Sequence, residues 1–305
     1  MVSEKIKGHL AAITTNVIFG INISITKVLL ASSWITPLGW TMTRMIFGCV
    51  MFWTFSFFAP REKTALRDLP ILIVAGILGL VVPQLSFFTG LLYISPVVSS
   101  LIAALNPIVV LLLSAIFLAD KISLKKTIGV ITGVSGAVLA VSQYRGSGTS
   151  LSNAFGISVL LVSVISNSSY LIIMRKNAGK HTPITIMKWM FLGAVVVLAP
   201  FGISDLPNQR LFTPEITLLA ISLVIFSLVF AGLLAIALMP IALKRVKATT
   251  VSMYANLQPL SAAVVAIIAG QDILTWDKPL SLLLIIIGVF IVTRSQYPQN
   301  RERKP

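Results

Sequence analysis

From residue 8 to residue 295 the chain alternates long apolar runs with short polar joints. Cutting at the charged or Pro/Gly-rich joints gives ten candidate helices: 8–31, 35–58, 69–93, 96–119, 124–142, 154–174, 182–202, 216–240, 247–270 and 279–295. Each approaches the ~20 residues that carry a helix across a bilayer. No polar block between them is large enough to fold as a separate soluble domain. The pattern predicts an all-α integral membrane protein. Composition agrees, with 56% of residues hydrophobic and 11% charged, against roughly 25% charged in soluble domains.

Charge then orients the helices. With the N-terminus in the cytoplasm, the inner segments hold Lys5, Lys7, Arg61, Lys63, Arg67, Lys121, Lys125, Lys126, Arg175, Lys176, Lys180, Lys244, Arg245, Lys247, Arg294, Arg301, Arg303 and Lys304. The outer segments hold only Arg145, Arg210 and Lys278. Such a bias places both termini in the cytoplasm. It also gives the net charge of +15 a topological reading in place of a nucleic-acid one. The start "MVSEKIKGHLAAI" has no convincing small-residue cleavage site after it and is read as a retained first helix. Cys49 is the only cysteine, so an intrachain disulfide and a cysteine-rich metal site are excluded.

Residues 104–120, "ALNPIVVLLLSAIFLAD", recur in outline at 256–272, "NLQPLSAAVVAIIAGQD". At a constant offset of 152, Ser100/Ser252, Ala103/Ala255, Leu105/Leu257, Pro107/Pro259, Ile116/Ile268, Asp120/Asp272 and Gly136/Gly288 are identical. "TP" opens the second helix of each half, at 36–37 and 182–183, and "QYRGSGTSLSN" (143–153) joins the halves as a flexible linker. Two domains follow: 1–146 with helices 1–5, and 147–305 with helices 6–10 and a short basic C-terminal tail. Five spans is an odd number, so the second copy enters the membrane from the opposite side. Inverted repeats are a recurring plan of secondary transporters, with the substrate site near the midplane. Asp120 and Asp272 then fall on opposite faces, each expected to complement the dipole of the helix that follows.

An amide in hydrocarbon is costly unless it meets a partner or a wet cavity. Near the estimated midplane lie Asn16, Gln84, Asn106, Asn167, Ser227 and Gln258, on helices 1, 3, 4, 6, 8 and 9. Together they predict a substrate cavity lined by Asn16, Gln84, Asn106, Asn167 and Gln258, although interhelical hydrogen bonding explains any one of them as well. Of the aromatics at this depth (Phe19, Phe87, Phe88, Tyr93, Tyr170, Phe230 and Tyr254), most are expected to pack or face lipid, while Phe230 and Tyr254 are assigned to the cavity. Pro83, Pro107 and Pro259 each remove a donor and displace a carbonyl one turn back, which makes them candidate hinges. Three cations fall within spans. Lys27 and Lys188, near helix ends, are expected to snorkel; Arg44 lies about 13 Å deep at 1.5 Å per residue. All three are candidate partners for an anion. Gly129 and Gly133 have the spacing of a close helix-packing face.

The sequence resembles the EamA family of the drug/metabolite transporter superfamily. The likeness is carried by "NPIVVLLLSAIFLADKISLKKTIGVITGVSGAVLAV" (106–141), by its second copy "QPLSAAVVAIIAGQDILTWDKPLSLLLIIIGVFIV" (258–292), by "FGINISITKVLL" in the first helix and by "RMIFG" after it. Family members usually carry Glu where this chain has Asp120 and Asp272, and the second copy lacks the glycine matching Gly129. The resemblance implies a transporter whose helices 1, 3, 4, 6, 8 and 9 surround a central cavity. It also implies export of a small organic metabolite, such as an amino acid or a related amphipathic compound.

These readings lead to a multi-pass protein of the bacterial inner membrane with a small-molecule metabolite and the lipid bilayer as its partners. No cofactor, metal or nucleic acid is expected, and a monomer is compatible with the pattern. With no acid in mid-span, facilitated diffusion or exchange is expected over carboxylate-based proton coupling. The runner-up is an exchanger of anionic or phosphorylated metabolites that uses Lys27, Arg44 and Lys188. A membrane enzyme would need convergent His, Asp, Glu or Cys chemistry that the spans do not carry. A purely structural role would leave the mid-membrane amides unexplained.

Overall fold

The computed structural model describes residues 4–59, 62, 64–119, 123–142, 144, 149–176, 180–246 and 254–294. Asp120 and the basic C-terminal tail therefore lie outside the described residues. All regular structure within them is helical. The helices are α1 (Glu4–Ala31), α2 (Pro37–Phe58), α3 (Leu66–Tyr93), α4 (Pro96–Leu118) and α5 (Leu124–Ser142). They continue with α6 (Ser150–Lys176), α7 (Pro183–Asp205) and α8, which runs as Leu218–Ile225, Phe226–Leu234 and Ala235–Arg245. The last two are α9 (Leu257–Ile268) and α10 (Asp277–Arg294). Eight helices among the described residues, α1 to α8, are long and apolar enough to cross a membrane. α9 is shorter, and α10 carries charge at both ends. Phe57, Phe58, Ile116 and Leu218 stand exposed on the outside, which suits a surface bathed in lipid.

Hydroxyl caps set the helix starts. Thr36 accepts from the Gly39 N–H ahead of α2, Ser95 from Val98 ahead of α4, Thr182 from Thr185 ahead of α7 and Thr217 from Ala220 ahead of α8. Each satisfies an N–H that a first turn leaves without a partner. Proline follows the cap in α2, α4 and α7, where its missing N–H costs nothing. Asp272 departs from expectation. α10 begins five residues later, at Asp277, and Asp272 instead pairs with Lys278 at 2.5 Å and accepts from the Ile273 N–H at 2.8 Å.

Most of the packing follows one rule. α1 lies against α8 and α9, α6 against α3 and α4, α2 against α7, and α5 against α10. Advancing every helix by five places turns this set of pairs into itself; α3 also packs along α7, while the counterpart contact of α8 with α2 is slight. The ends of α2 and α7 exchange caps. Asp205, ending α7, accepts from the Thr36 hydroxyl at 2.5 Å and the Gly39 N–H at 2.9 Å. Glu62, just beyond α2, accepts from the Thr182 N–H at 3.0 Å and its hydroxyl at 2.8 Å. The start of each helix thus meets the end of the other, so the pair is antiparallel. The Thr182 N–H, then the hydroxyls of Thr185 and Thr182, draw the Glu62 pKa down from 4.5 to about 2. Between α5 and α10, Gly129 and Gly133 face Gly288 so closely that a side chain at Gly288 would strike the α5 backbone.

Two helices change pitch at matching places. α3 widens to a π turn over Ile77–Val81 and α8 over Phe226–Leu234, and the offset of 152 carries the first inside the second. The Val82 N–H reaches Ile77 O and the Ala235 N–H reaches Phe230 O, both five residues back. In that register residue 83 would donate to Leu78 O, but Pro83 has no N–H. The Ser166 hydroxyl of α6 takes its place, donating to Leu78 O at 2.8 Å, and Ser163 donates to Pro83 O at 2.8 Å. A carbonyl released in apolar surroundings is satisfied by a hydroxyl from the neighbouring helix. The Thr15 hydroxyl of α1 does similar work at Ala235 O of α8, 3.3 Å away.

α4 is broken, which is more than the bend its proline predicted. Pro96–Ala103 and Asn106–Leu118 are separate helices joined by a turn at Ala104–Leu105, and Pro107 sits in the first turn of the second. Before α9 a turn at Ala255–Asn256 precedes Pro259 in the same way. Both prolines therefore start a helix and interrupt none.

Candidate functional site

A cavity of about 670 Å³ lies among α1, α2, α3, α6, α7 and α8. α2 contributes Phe52 and Phe55, α7 contributes Pro183, Met187 and Phe191, and α1 contributes Phe19. Gly79 and Leu80, in the π turn of α3, and Leu233, in that of α8, form the wall near the middle of the bundle. α6 adds Asn167 and Tyr170 one turn apart. The cavity runs from mid-bundle to the end where α2 finishes and α7 begins. Its lining is aromatic and aliphatic, and no charged side chain takes part.

Beyond the mid-bundle end sits Arg44. Its Nε donates to Gln84 Oε1 at 2.8 Å and its Nη1 to Ser227 Oγ at 3.1 Å, while the Phe88 ring lies 5.8 Å from the guanidinium carbon. Gln84 is one turn past Leu80 along α3, and Ser227 lies in the π stretch of α8, nearly two turns before Leu233. One side chain of α2 therefore ties α3 to α8 at their points of altered pitch. No carboxylate among the described residues pairs with Arg44. Its bonds to Gln84 and the Ser227 hydroxyl, a longer one from Nη1 to Ser227 O at 3.5 Å and the ring offset a cost of about 2.5–3.5 kcal/mol for a cation at mid-membrane.

Two further polar pairs hold the broken segments. Gln258 Nε2 of α9 donates to Asn16 Oδ1 of α1 at 2.8 Å, and Asn16 Nδ2 donates to Ala12 O at 2.8 Å. The Ser168 hydroxyl of α6 donates to Asn106 Oδ1 of α4 at 2.6 Å. The offset of 152 maps Asn16 onto Ser168 and Asn106 onto Gln258, so the two pairs are equivalent.

A family model described as the EamA-like transporter family matches residues 6–142 and again 154–294. The chain belongs to the EamA-like transporter family. An uncharacterized transporter of Archaeoglobus fulgidus is 28% identical over 239 residues, spanning 75% of this chain and 79% of the relative. The uncharacterized transporter YyaM of Bacillus subtilis is 26% identical over 219 residues, 71% of this chain and 70% of its own. A WAT1-related protein of Arabidopsis thaliana is 27% identical over 195 residues, 57% and 56% of the two chains. A solved crystal structure of 17% identity shares the fold, with a TM-score of 0.59 over 92% of this chain and 98% of the other. These relatives point to a membrane transporter rather than an enzyme.

Within this EamA-like transporter the residues singled out by sequence take three kinds of place. Of the predicted cavity residues only Asn167 lines the cavity. Asn16, Asn106 and Gln258 spend their amides on neighbouring helices and Gln84 spends its own on Arg44. Phe230 stacks on Phe226 at 5.3 Å on a partly exposed face, and the Tyr254 hydroxyl lies 2.9 Å from His9 Nδ1. The walls also differ from the expected six helices, because α2 and α7 stand where α4 and α9 were foreseen. Pro83 sits just past the π turn of α3.

Lys27 and Lys188 are engaged elsewhere. The Lys27 ammonium donates to the carbonyls of Leu91, Leu92 and Ile94, where it complements the C-terminal end of α3. Lys188 lies over two indoles, 5.3 Å from the Trp53 ring and 5.8 Å from that of Trp189. Sequence reading passed over Phe52, Phe55, Met187 and Phe191 of the lining, and also Ser168. The repeat offset applied to Asn16 points to Ser168, but no periodicity separates a cavity-facing phenylalanine from a lipid-facing one.

Proposed function

We propose that the chain is a ten-span secondary transporter of the bacterial inner membrane, built from inverted repeats over 1–146 and 147–305, with both termini in the cytoplasm. It moves a small amphipathic organic molecule by alternating access around the cavity walled by Phe19, Asn167, Tyr170 and Phe191. The observation that carries this reading is the reach of the cavity, from Gly79, Leu80 and Leu233 at mid-bundle to Pro183 and Ile184 at the start of α7, with the Arg44–Gln84–Ser227 tie beyond its mid-bundle end. In this reading the cavity opens at the α7-start end, which the positive-inside bias assigns to the cytoplasm, and is closed at the end beneath the tie. An outward-open state requires the Arg44 tie to part and the α2–α7 pair, already capped together at the cytoplasmic end, to close against α8. The turns before Pro107 and Pro259 and the π turn before Pro83 supply the bending points. Export as the net direction rests on the family resemblance.

Anion exchange is the second reading, and Arg44 is the observation in its favour. Among the described residues its Nη2 has no acceptor, whereas Lys27 and Lys188 are already engaged. Counterflow in proteoliposomes tests both readings. Purified protein is preloaded with amino acids, neutral aromatics, nucleosides or phosphorylated metabolites in turn, and uptake of the matching labelled solute is followed. Accelerated uptake with one organic class is expected. Exchange confined to phosphorylated solutes and lost in Arg44→Gln would favour the second reading, and no exchange with any class would overturn both.

A further inference from the structure

We infer that the cavity recognises a neutral solute with a flat apolar body and a single hydrogen-bonding end, and that it rejects carboxylates, phosphates and ammonium groups. This rests on the cavity being the transport site. Five aromatic rings, those of Phe19, Phe52, Phe55, Tyr170 and Phe191, reach it from four different helices. Flat apolar surfaces on several sides suit a ring, since aromatic pairs gain from edge and offset contacts beyond simple burial.

The polar complement is small and concentrated. Among the lining residues only Asn167 and Tyr170 carry side-chain nitrogen or oxygen atoms. They lie three residues apart on α6, on one face of the helix. Among the described residues neither makes a side-chain hydrogen bond, whereas Asn16, Gln84, Asn106 and Gln258 all do. An amide left unpaired beside an apolar cavity is costly unless water or a ligand meets it. Asn167 offers both a donor and an acceptor, and the phenol adds another of each, a set that matches a carboxamide, a lactam or a phenol.

A charged solute meets the opposite situation. It would leave water for a wall with no counter-charge, a transfer costed in several kcal/mol per ion, of which the surrounding rings return only a part to an ammonium. The nearest guanidinium, Arg44, lies past the mid-bundle end and is held by Gln84 and Ser227. Lys188 is screened between Trp53 and Trp189, and neither residue is part of the lining.

The test uses three probes with one ring and one chain length class: 2-phenylacetamide, phenylacetate and 2-phenylethylammonium. Each is titrated into the purified full-length protein in nanodiscs, and thermal unfolding is followed. Binding to the native state raises the unfolding temperature in proportion to affinity. The amide is expected to raise it, with no comparable shift from either ion at the same concentration. Asn167→Leu is expected to move the half-maximal amide concentration upward about tenfold, in line with loss of a buried hydrogen bond. Asn106→Leu, which alters an amide outside the cavity, serves as the comparison and should leave that concentration unchanged. A shift from phenylacetate or phenylethylammonium that equals or exceeds the amide's overturns the inference, as does an Asn167-independent amide shift or no shift from any probe. Exchange of a charged metabolite in counterflow, lost in Asn167→Leu, refutes the substrate class and leaves the transport reading intact. Amide binding without exchange of any solute does the reverse.

Discussion

Asn16 and Gln258 stand 242 residues apart and meet at 2.8 Å. Removing either leaves the other amide unpaired in surroundings where Asn16 is 1% exposed. A double-mutant cycle of Asn16→Leu and Gln258→Leu, read by reversible unfolding in detergent, should give a coupling of about 0.6–2 kcal/mol, the range of interhelical hydrogen bonds in membranes. Additive effects would mean that the pair does not exist in solution. This pair also marks how far residues can be read without a structure. That each mid-membrane amide must be satisfied follows from desolvation alone. Which partner satisfies it depends on the facing helix, and Asn167, alone among the predicted cavity amides, found none.

At the scale of helices one close contact is that between α5 and α10, where Gly129 and Gly133 meet Gly288. Gly288→Ala should lower stability by about 1–3 kcal/mol, because the obstruction is backbone and the helices must part to relieve it. Gly232→Ala is the contrast. The added methyl there meets nothing nearer than Ser227 O at 3.5 Å, so thermal unfolding should barely change. Equal effects at the two sites would contradict the packing. The α5 glycines were legible because small residues at a spacing of four have a steric meaning. The T-P starts at Thr36 and Thr182 were legible through the repeat and proved to be capped helix starts. The π turns were not, since residues 77–81 and 226–234 are as apolar as their surroundings and a change of pitch leaves no mark in composition. The walls of this cavity differ from the expected ones for a related reason. The amides of α4 and α9 drew attention to helices whose polar groups are used in holding the bundle together, while the rings of α2 and α7 were indistinguishable from lipid-facing ones.

For the whole molecule, the proposed cycle takes the cavity, open to the cytoplasm, as one half, and its other half requires the Arg44 tie to open. The pairing of helices is consistent with that motion, because each broken segment is fastened to the other half of the chain: α4 to α6 through Asn106 and Ser168, and α9 to α1 through Gln258 and Asn16. The fold class was readable from hydropathy and from the match between 104–120 and 256–272. The access route was not, since it depends on which of many apolar side chains leave a gap. The central claim is that Leu80, at the mid-bundle end of the cavity, is reached from the cytoplasm now and from outside only after the tie parts. The direct measurement places a single cysteine there, Leu80→Cys with Cys49→Ala, and follows its labelling by a membrane-impermeant maleimide in right-side-out and everted vesicles. Labelling from the cytoplasmic side alone is predicted, with outside labelling gained when Arg44→Ala is added. Labelling from outside alone, or from neither side in both backgrounds, would contradict the account.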